Sequence, residues 1–451
     1  MQKTLPFSSY LVIGVMLFAL FFGAGNLIFP AQLGQYAGTN IWPAVIGFLI
    51  TGVGLPFLGI LAIGFSGSSN LQDLASRIHP VYAVIFTSLL YLTIGPFFAA
   101  PRTGAVAFDV GISPFISEEY TQIGLILFTF LFFGITLWLS MNPAKLVDRI
   151  GKILSPAIII LLLVLLFMVV VKPMGAIGSP QDAYVDGAFM KGFIEGYNTM
   201  DALASLVFGI IVINVIRSMG ITSKRGILAA TAKSGAVATA FLAILYVGIA
   251  YLGATSTEAF GLFDTGGPVL SATASYYFGA FGSVMLAVII LLACLTTSIG
   301  LMMACGEYFH SIMPKISYKI FVAIFTTFCF IVANFGLANI ITYSIPVLMF
   351  LYPLAVVLIL LTFTSPLFNH SRLVYVSATV VAFMISSIDG LKTLCQSLEI
   401  DNFVWMAPIV SLYERVLPLY SDGLGWLLPV LAVMLVTGVV ARFLGNSAAQ
   451  N

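Results

Sequence analysis

LFALFFGAGNLIFP, residues 17–30, decides the fold. It sits inside an apolar run from about Tyr10 to Phe29, long enough to cross a bilayer. Yet Gly23, Ala24, Gly25 and Asn26 follow Phe22 near mid-span, and Pro30 follows soon after. Glycine is a poor helix former, and an asparagine amide in hydrocarbon needs hydrogen-bond partners. If the helix opens at 23–26, it frees backbone N–H and C=O groups that lipid cannot satisfy. The opening must then be buried in protein or line a polar cavity. The plainer alternative is a glycine kink that lets another helix approach closely.

Composition makes the membrane setting unavoidable. The 451 residues are 60% hydrophobic and 8% charged, with a mean hydropathy of +1.10. A soluble chain of this length needs far more charge to cover its surface. The formal net charge of +1 offers no basic patch for nucleic acid, so no nucleic-acid partner is expected. Apolar runs begin near residues 8, 42, 81, 120, 152, 193, 226, 279, 318, 339, 373 and 424, which predicts about twelve helices and an all-α polytopic protein in a lipid bilayer. The first run is too long for a signal-peptide core and is read as span one.

Lysine and arginine set the orientation. One set of loops holds Lys3, Arg77, Lys145, Arg149, Lys152, Arg217, Lys224, Arg225, Lys233, Lys315, Lys319, Arg372 and Arg442. The alternate set holds Arg102, Lys172, Lys191, Lys392 and Arg415. Thirteen against five places both termini in the cytoplasm. The longer external stretches are 173–192 and 391–423. Trp405, Tyr413, Tyr420 and Trp426, in and just after the second, suit the headgroup layer. Cys294, Cys305, Cys329 and Cys395 follow no metal spacing and read as apolar filler. His79, His310 and His370 fall in loops, also without metal spacing.

A second interrupted span matches the first. GFIEGYNTMDALASLVFGIIVINVI, residues 192–216, carries Gly196, Tyr197, Asn198, Thr199, Met200 and Asp201 inside it. These are spans one and six, and breaks at corresponding places in two halves point to an inverted-repeat transporter. Half-helix N-termini attract a carboxylate; freed carbonyls attract an ammonium or a metal cation. One such site holds a zwitterion. Span eight contributes Ala293, Thr296, Thr297, Gly300 and Ala304 on one helical face. The threonine hydroxyls are either hard oxygen ligands or are bonded back to carbonyls one turn earlier. Asp201 is a carboxylate well inside a span. It either caps the second half-helix or handles a cation or proton.

Together with IGPFFAAPRTGAVAF at 94–108, GYNTMDALASLVFG at 196–209 and LTTSIG at 295–300, the opening stretch resembles the branched-chain amino acid:cation symporter family. Members of that family look like distant relatives of LeuT-fold transporters. The resemblance covers nearly the whole chain. It implies import of leucine, isoleucine and valine across a bacterial cytoplasmic (inner) membrane, driven by sodium or protons, without a cofactor. It also implies a LeuT-like fold of two inverted five-helix repeats, at 1–172 and 193–364, joined by the external loop 173–192. Two final helices follow at 365–451, and the breaks fall near 23–26 and 197–201.

GAGN at 23–26 looks like the GLGN break of LeuT-type transporters, and LTTSI looks like their LTSSI. On that matching the cation would use carbonyls of Ala19, Phe22 and Ala293 with the hydroxyls of Thr296 and Thr297. The backbone of Gly23, Ala24 and Gly25 would hold the substrate carboxylate, with Asn26 beside it. Tyr197, Asn198 and Thr199 would receive the ammonium, and Met200 would lie near the side chain. Phe21 and Phe22 are bulkier than their LeuT-type counterparts, which argues against a second sodium site. Proton-coupled relatives are similar but place a lysine in span five at the cation site. Here Lys152 lies at the end of that span, which is otherwise apolar as far as Lys172, so sodium is favoured. A proton-coupled symporter using Asp201 is the alternative. A channel would need a repeated filter or charged ring, and a membrane enzyme a catalytic constellation; the sequence has neither. Nothing in it specifies an oligomeric state.

Overall fold

The computed structural model describes residues 5–68, 70–141, 155–400 and 406–448. Lys3, Lys145, Arg149, Lys152 and Trp405, used above, lie outside the described residues. Among the described residues there is no strand. Helix is the structure that satisfies every backbone group within one apolar segment. Among the described residues eight helices are long and apolar enough to span a bilayer, and four shorter apolar ones accompany them.

Span one is α1 (Phe7–Phe21) and α2 (Ala24–Ala37), separated where Phe22 turns to ψ 88° and Gly23 is extended. Span two is α3 (Ile41–Leu49), a π turn and α4 (Leu55–Ser66), followed by the short α5 (Leu71–Ala75). Span three is α6 (Pro80–Leu92), a π turn at Thr93–Phe97 and α7 (Ala99–Gly111). Then come α8 (Thr121–Ser140) and α9 (Ser155–Val171). Span six is α10 (Tyr184–Glu195), a 3-10 turn at Gly196–Thr199 and α11 (Asp201–Ser218). The chain continues through α12 (Lys224–Phe260), α13 (Gly266–Ile312), α14 (Tyr318–Ala333), α15 (Leu337–Thr364), α16 (Arg372–Ser397), α17 (Ala407–Val416) and α18 (Leu427–Ala448).

Four sequence expectations need correction. Span three is a third broken span: Gly95 leaves the helix at φ −84°, ψ −116°. Pro96 has no N–H to donate, and a side chain at Gly95 would collide with the Cys305 thiol. The helix of span six already starts at Tyr184, with a kink at Gly187, so it takes in part of the stretch read as loop. Span eight does begin near residue 279, but as the continuation of a helix from Gly266 that turns at Gly279 (φ 59°). Trp426 and Tyr420 are buried in protein, 1% and 5% exposed, instead of facing headgroups.

The interior is held by close helix approach, which hydrocarbon favours because packing replaces the hydrophobic driving force. The α2–α12 contact shows it: a Cβ on Gly34 would strike the Ala250 carbonyl, and one on Gly253 the Ala31 carbonyl. Backbone on both sides leaves nothing flexible to yield. Gly253→Leu is therefore expected to destabilise the protein by about 3 kcal/mol or more. Gly134→Ala, with nothing near its added methyl, should be close to neutral. Thermal unfolding of both in the same detergent checks the contrast.

Candidate functional site

The breaks of spans one, three and six meet, and with α13 they line a narrow, partly open crevice with a volume of about 20 Å³, room for about one water. Its apolar wall includes Leu20, Phe21, Ile94, Ala204, Phe208 and Leu301. The backbone of Gly23–Asn26 forms another side. The polar groups are Asn26, Arg102, Thr103, Thr199, Asp201 and Thr297. A site that is mostly apolar with few polar groups suits a small amphipathic ligand.

The break in span one is stabilised locally. The Gly23 N–H donates to Asn26 Oδ1 at 3.0 Å, so an orphan donor at the start of α2 is satisfied by a side chain in the same turn. Asn26 Nδ2 then donates to Asp201 Oδ2 at 2.6 Å. The Tyr246 hydroxyl donates to the same oxygen at 2.6 Å, and Asn26 and Tyr246 also touch. Asp201, 2% exposed, is thus tied to spans one and seven. It does not cap α11: the preceding Met200 holds the cap position at φ 63°, with no side-chain cap bond. As the acidic residue in the first turn of α11 it still faces the positive end of that helix.

The 196–200 segment divides between two roles. Thr199 and Met200 line the crevice. Tyr197 points elsewhere, 1% exposed and stacked on Tyr352 with ring centroids 4.1 Å apart. Asn198 gives its side-chain amide to Glu195 Oε2 at 2.8 Å. Its carbonyl accepts from Arg102 Nη1 at 2.8 Å. The 3-10 turn and the left-handed Met200 swing 197–198 away from the ligand side.

A second polar cluster lies between α1 and α13. Thr296 Oγ1 is 2.9 Å from the Ala293 carbonyl and 3.3 Å from that of Ala19. Thr297 Oγ1 is 3.5 Å from the Ala19 carbonyl. Thr296 bonds back along its own helix, as threonine does in membranes, but both hydroxyls also face the span-one carbonyl. Four neutral oxygens converge here, all on residues less than 10% exposed. Carbonyl and hydroxyl oxygens are hard ligands, suited to a hard cation. Phe22 closes α1, its N–H on the Phe18 carbonyl at 2.7 Å and its ring stacked on Phe18. Among the described residues no group of three or more His, Cys, Asp or Glu gathers for a metal ion.

Two site residues carry no role in the sequence reading. Tyr246 lies in an apolar run that also holds Tyr251, and no spacing distinguishes one from the other. Arg102, assigned above to an external loop, is 2% exposed in the middle of the bundle. Its signal is an arginine preceded by Pro96 and Pro101 in an apolar stretch. With Arg102 moved inside, the lysine and arginine split becomes thirteen against the remaining four: Lys172, Lys191, Lys392 and Arg415.

A family model described as "Branched-chain amino acid transport protein" matches residues 7–444. The branched-chain amino acid permease BrnQ of Bacillus subtilis is 46% identical over 432 residues, covering 96% of each chain. BraB, a branched-chain amino acid permease of the same organism, is 46% identical over 452 residues, covering 100% of this chain and 99% of its own. Among solved structures, the nucleobase-cation-symport-1 family transporter Mhp1 superposes with a TM-score of 0.59 at 14% identity, covering 94% of this chain and 96% of its own. MhsT in complex with L-phenylalanine gives 0.57 at 18% identity, covering 85% of this chain and 98% of its own. At those identities the likeness speaks for architecture: a LeuT-like, all-α membrane fold.

Proposed function

The chain belongs to the branched-chain amino acid transport protein family, and from that premise we propose a secondary active symporter that imports leucine, isoleucine and valine with sodium. It is a multi-pass transporter, not an enzyme. In this reading it works by alternating access in a bacterial cytoplasmic membrane, with both termini inside. Residues 1–172 and 193–364 act as the two inverted repeats. The single observation that carries sodium coupling is the convergence of the Ala19 and Ala293 carbonyls with the Thr296 and Thr297 hydroxyls.

That convergence joins the broken span one to α13. A cation bound there fixes the shape of Ala19–Gly25, which is also one side of the amino acid crevice. Sodium therefore favours the substrate-competent state, and by reciprocity leucine must tighten sodium by the same factor. Gly23, Ala24, Gly25, Asn26, Thr199 and Met200 are the proposed substrate contacts. The apolar wall should separate leucine, isoleucine and valine weakly, since one methylene is worth roughly 1–3 kcal/mol.

The test is uptake of radiolabelled leucine by purified protein in proteoliposomes, at fixed pH, with and without an imposed sodium gradient. Uptake is expected to follow the gradient, with leucine recovered unchanged. Uptake in sodium-free buffer driven by a pH gradient would instead assign the coupling to protons. Thr297→Ala is expected to raise the sodium concentration for half-maximal uptake by about 10-fold or more, at unchanged expression. Sodium titration of initial rates reads this directly.

A further inference from the structure

We propose that Arg102 and Asp201 form a charge clamp for the amino acid itself, Arg102 taking the α-carboxylate and Asp201 the α-ammonium. The proposal deepens the transport reading above and rests on it. It also assigns the ammonium to a different group from the 197–199 segment that the resemblance implies.

Arg102 feels the charge of Asp201, which lines the same crevice, but makes no direct ion pair with it. Among the described residues no carboxylate lies within ion-pairing distance of it. Its protein contacts are the Asn198 carbonyl, through Nη1 at 2.8 Å, and the face of Phe29, 5.2 Å from the ring centroid. Its Nε is buried with no acceptor. A guanidinium offers five N–H donors, and an ionised group left short of partners in a protein interior within a membrane is costly and marks function. The unfilled donor and the crevice occur together, since Arg102 lines it.

The geometry around Arg102 fits a carboxylate. Nη2 lies over Gly25: a Cβ there would come within 2.8 Å of it. Gly25 is in the first turn of α2, whose leading N–H groups have no intrahelical acceptor and whose dipole favours an anion. A carboxylate against the guanidinium and that helix start would be held by both. Glycine at 25 lets the guanidinium pack directly over the start of α2, which puts both groups on the same side of the crevice.

Asp201 supplies the opposite pole of the same crevice. Its Oδ2 is fixed by Asn26 and Tyr246, both neutral donors, so the carboxylate is oriented without a direct ion pair, with Arg102 acting on it only at a distance. An α-amino acid brings one negative and one positive group on a single carbon. It neutralises both poles at once and leaves its side chain against Leu20, Phe208 and Leu301. A ligand with only one charge satisfies one pole and strands the other, which is a strong basis for rejection.

The experiment measures equilibrium displacement of labelled L-leucine from purified full-length protein in sodium. The competitors are L-leucine, L-leucinamide, which lacks the carboxylate, and 4-methylpentanoate, which lacks the ammonium. Wild type is expected to prefer leucine to either analogue by about 100-fold or more. R102Q should weaken leucine by about 100-fold while leaving leucinamide within about 3-fold. R102K, which restores the charge, should recover part of the loss. D201N should weaken leucine similarly and leave 4-methylpentanoate unchanged or tightened. Equal losses for leucine and leucinamide in R102Q would make Arg102 a structural tie to Asn198 only, and the clamp would fall. Wild-type leucine affinity in R102Q would overturn the clamp and leave the transport reading standing. Wild-type protein that binds no leucine in sodium overturns both.

Discussion

A Gly23→Val protein is expected to fold and insert, yet lose sodium stimulation of leucine uptake. The loss should amount to about 10–100-fold in apparent sodium affinity, the scale seen when the support of a metal ligand is disturbed. Gly23 is not demanded by backbone conformation. Its φ of −119° and ψ of −157° are extended values open to any residue. The demand is spatial. A Cβ at this position would lie 2.9 Å from Thr297 Oγ1, 3.1 Å from its Cγ2 and 3.2 Å from its Cβ. The threonine side chain would have to move, and its hydroxyl now faces the Ala19 carbonyl. A branched side chain therefore wedges span one from α13 at the place proposed for the cation. Gly23→Ala should give a graded effect, because the clash is with a side chain that can shift by a few tenths of an ångström. Sodium titrations of uptake, with sodium-dependent protection against thermal unfolding, read both variants. A valine variant with wild-type sodium dependence would remove the cation from this location.

The helical frame and the opening at Gly23–Asn26 were legible in the sequence for one reason. Hydrocarbon leaves the backbone few choices, so an apolar run reads as helix and a glycine pair with an amide reads as its interruption. The same logic undercounted the breaks. In span three, the apolar run from about residue 81 becomes long enough to cross only by about residue 100, so Pro101–Arg102 reads as the emerging loop. A π turn with a non-helical Gly95 lets the chain continue inside the bundle instead, and Arg102 travels with it. Hydropathy places charges outside by default; only the third dimension shows one surrounded by three broken spans. Tyr197 and Asn198 lie off the crevice. Matching by position put them on the ligand side, but a left-handed residue at Met200 decides which way a short turn faces. Single-sequence pattern carries no signal for that. Ala293, Thr296 and Thr297 share a face because i, i+3, i+4 spacing along one helix fixes it, and that face meets Ala19 of α1.

Tyr246→Phe is expected to lower leucine affinity by about 10–100-fold, the value of one hydrogen bond to an ionised group, about 1.5–3 kcal/mol. The substitution is clean in shape. Tyr246 is 1% exposed, and its ring packs edge-on against Phe48 with centroids 5.2 Å apart; phenylalanine keeps that contact. Only the hydroxyl goes, and with it one of the two donors that hold Asp201 Oδ2. Asn26 then has to orient the carboxylate alone. Asn26 also caps the opening of span one through Gly23, so a loosened Asp201 loosens the backbone of the crevice as well. If the hydroxyl acts through Asp201, its removal should matter little once Asp201→Asn has been made. The double variant should then bind leucine about as weakly as Asp201→Asn alone, a coupling energy of at least about 1 kcal/mol. Additive losses would mean that Tyr246 acts on leucine by some other route. Unchanged affinity in Tyr246→Phe would mean that Asn26 suffices to hold the aspartate. The cycle thus asks whether spans one, six and seven meet at Asp201 as one polar unit, which is what a carboxylate buried at a helix break requires if it is to receive a charge reproducibly.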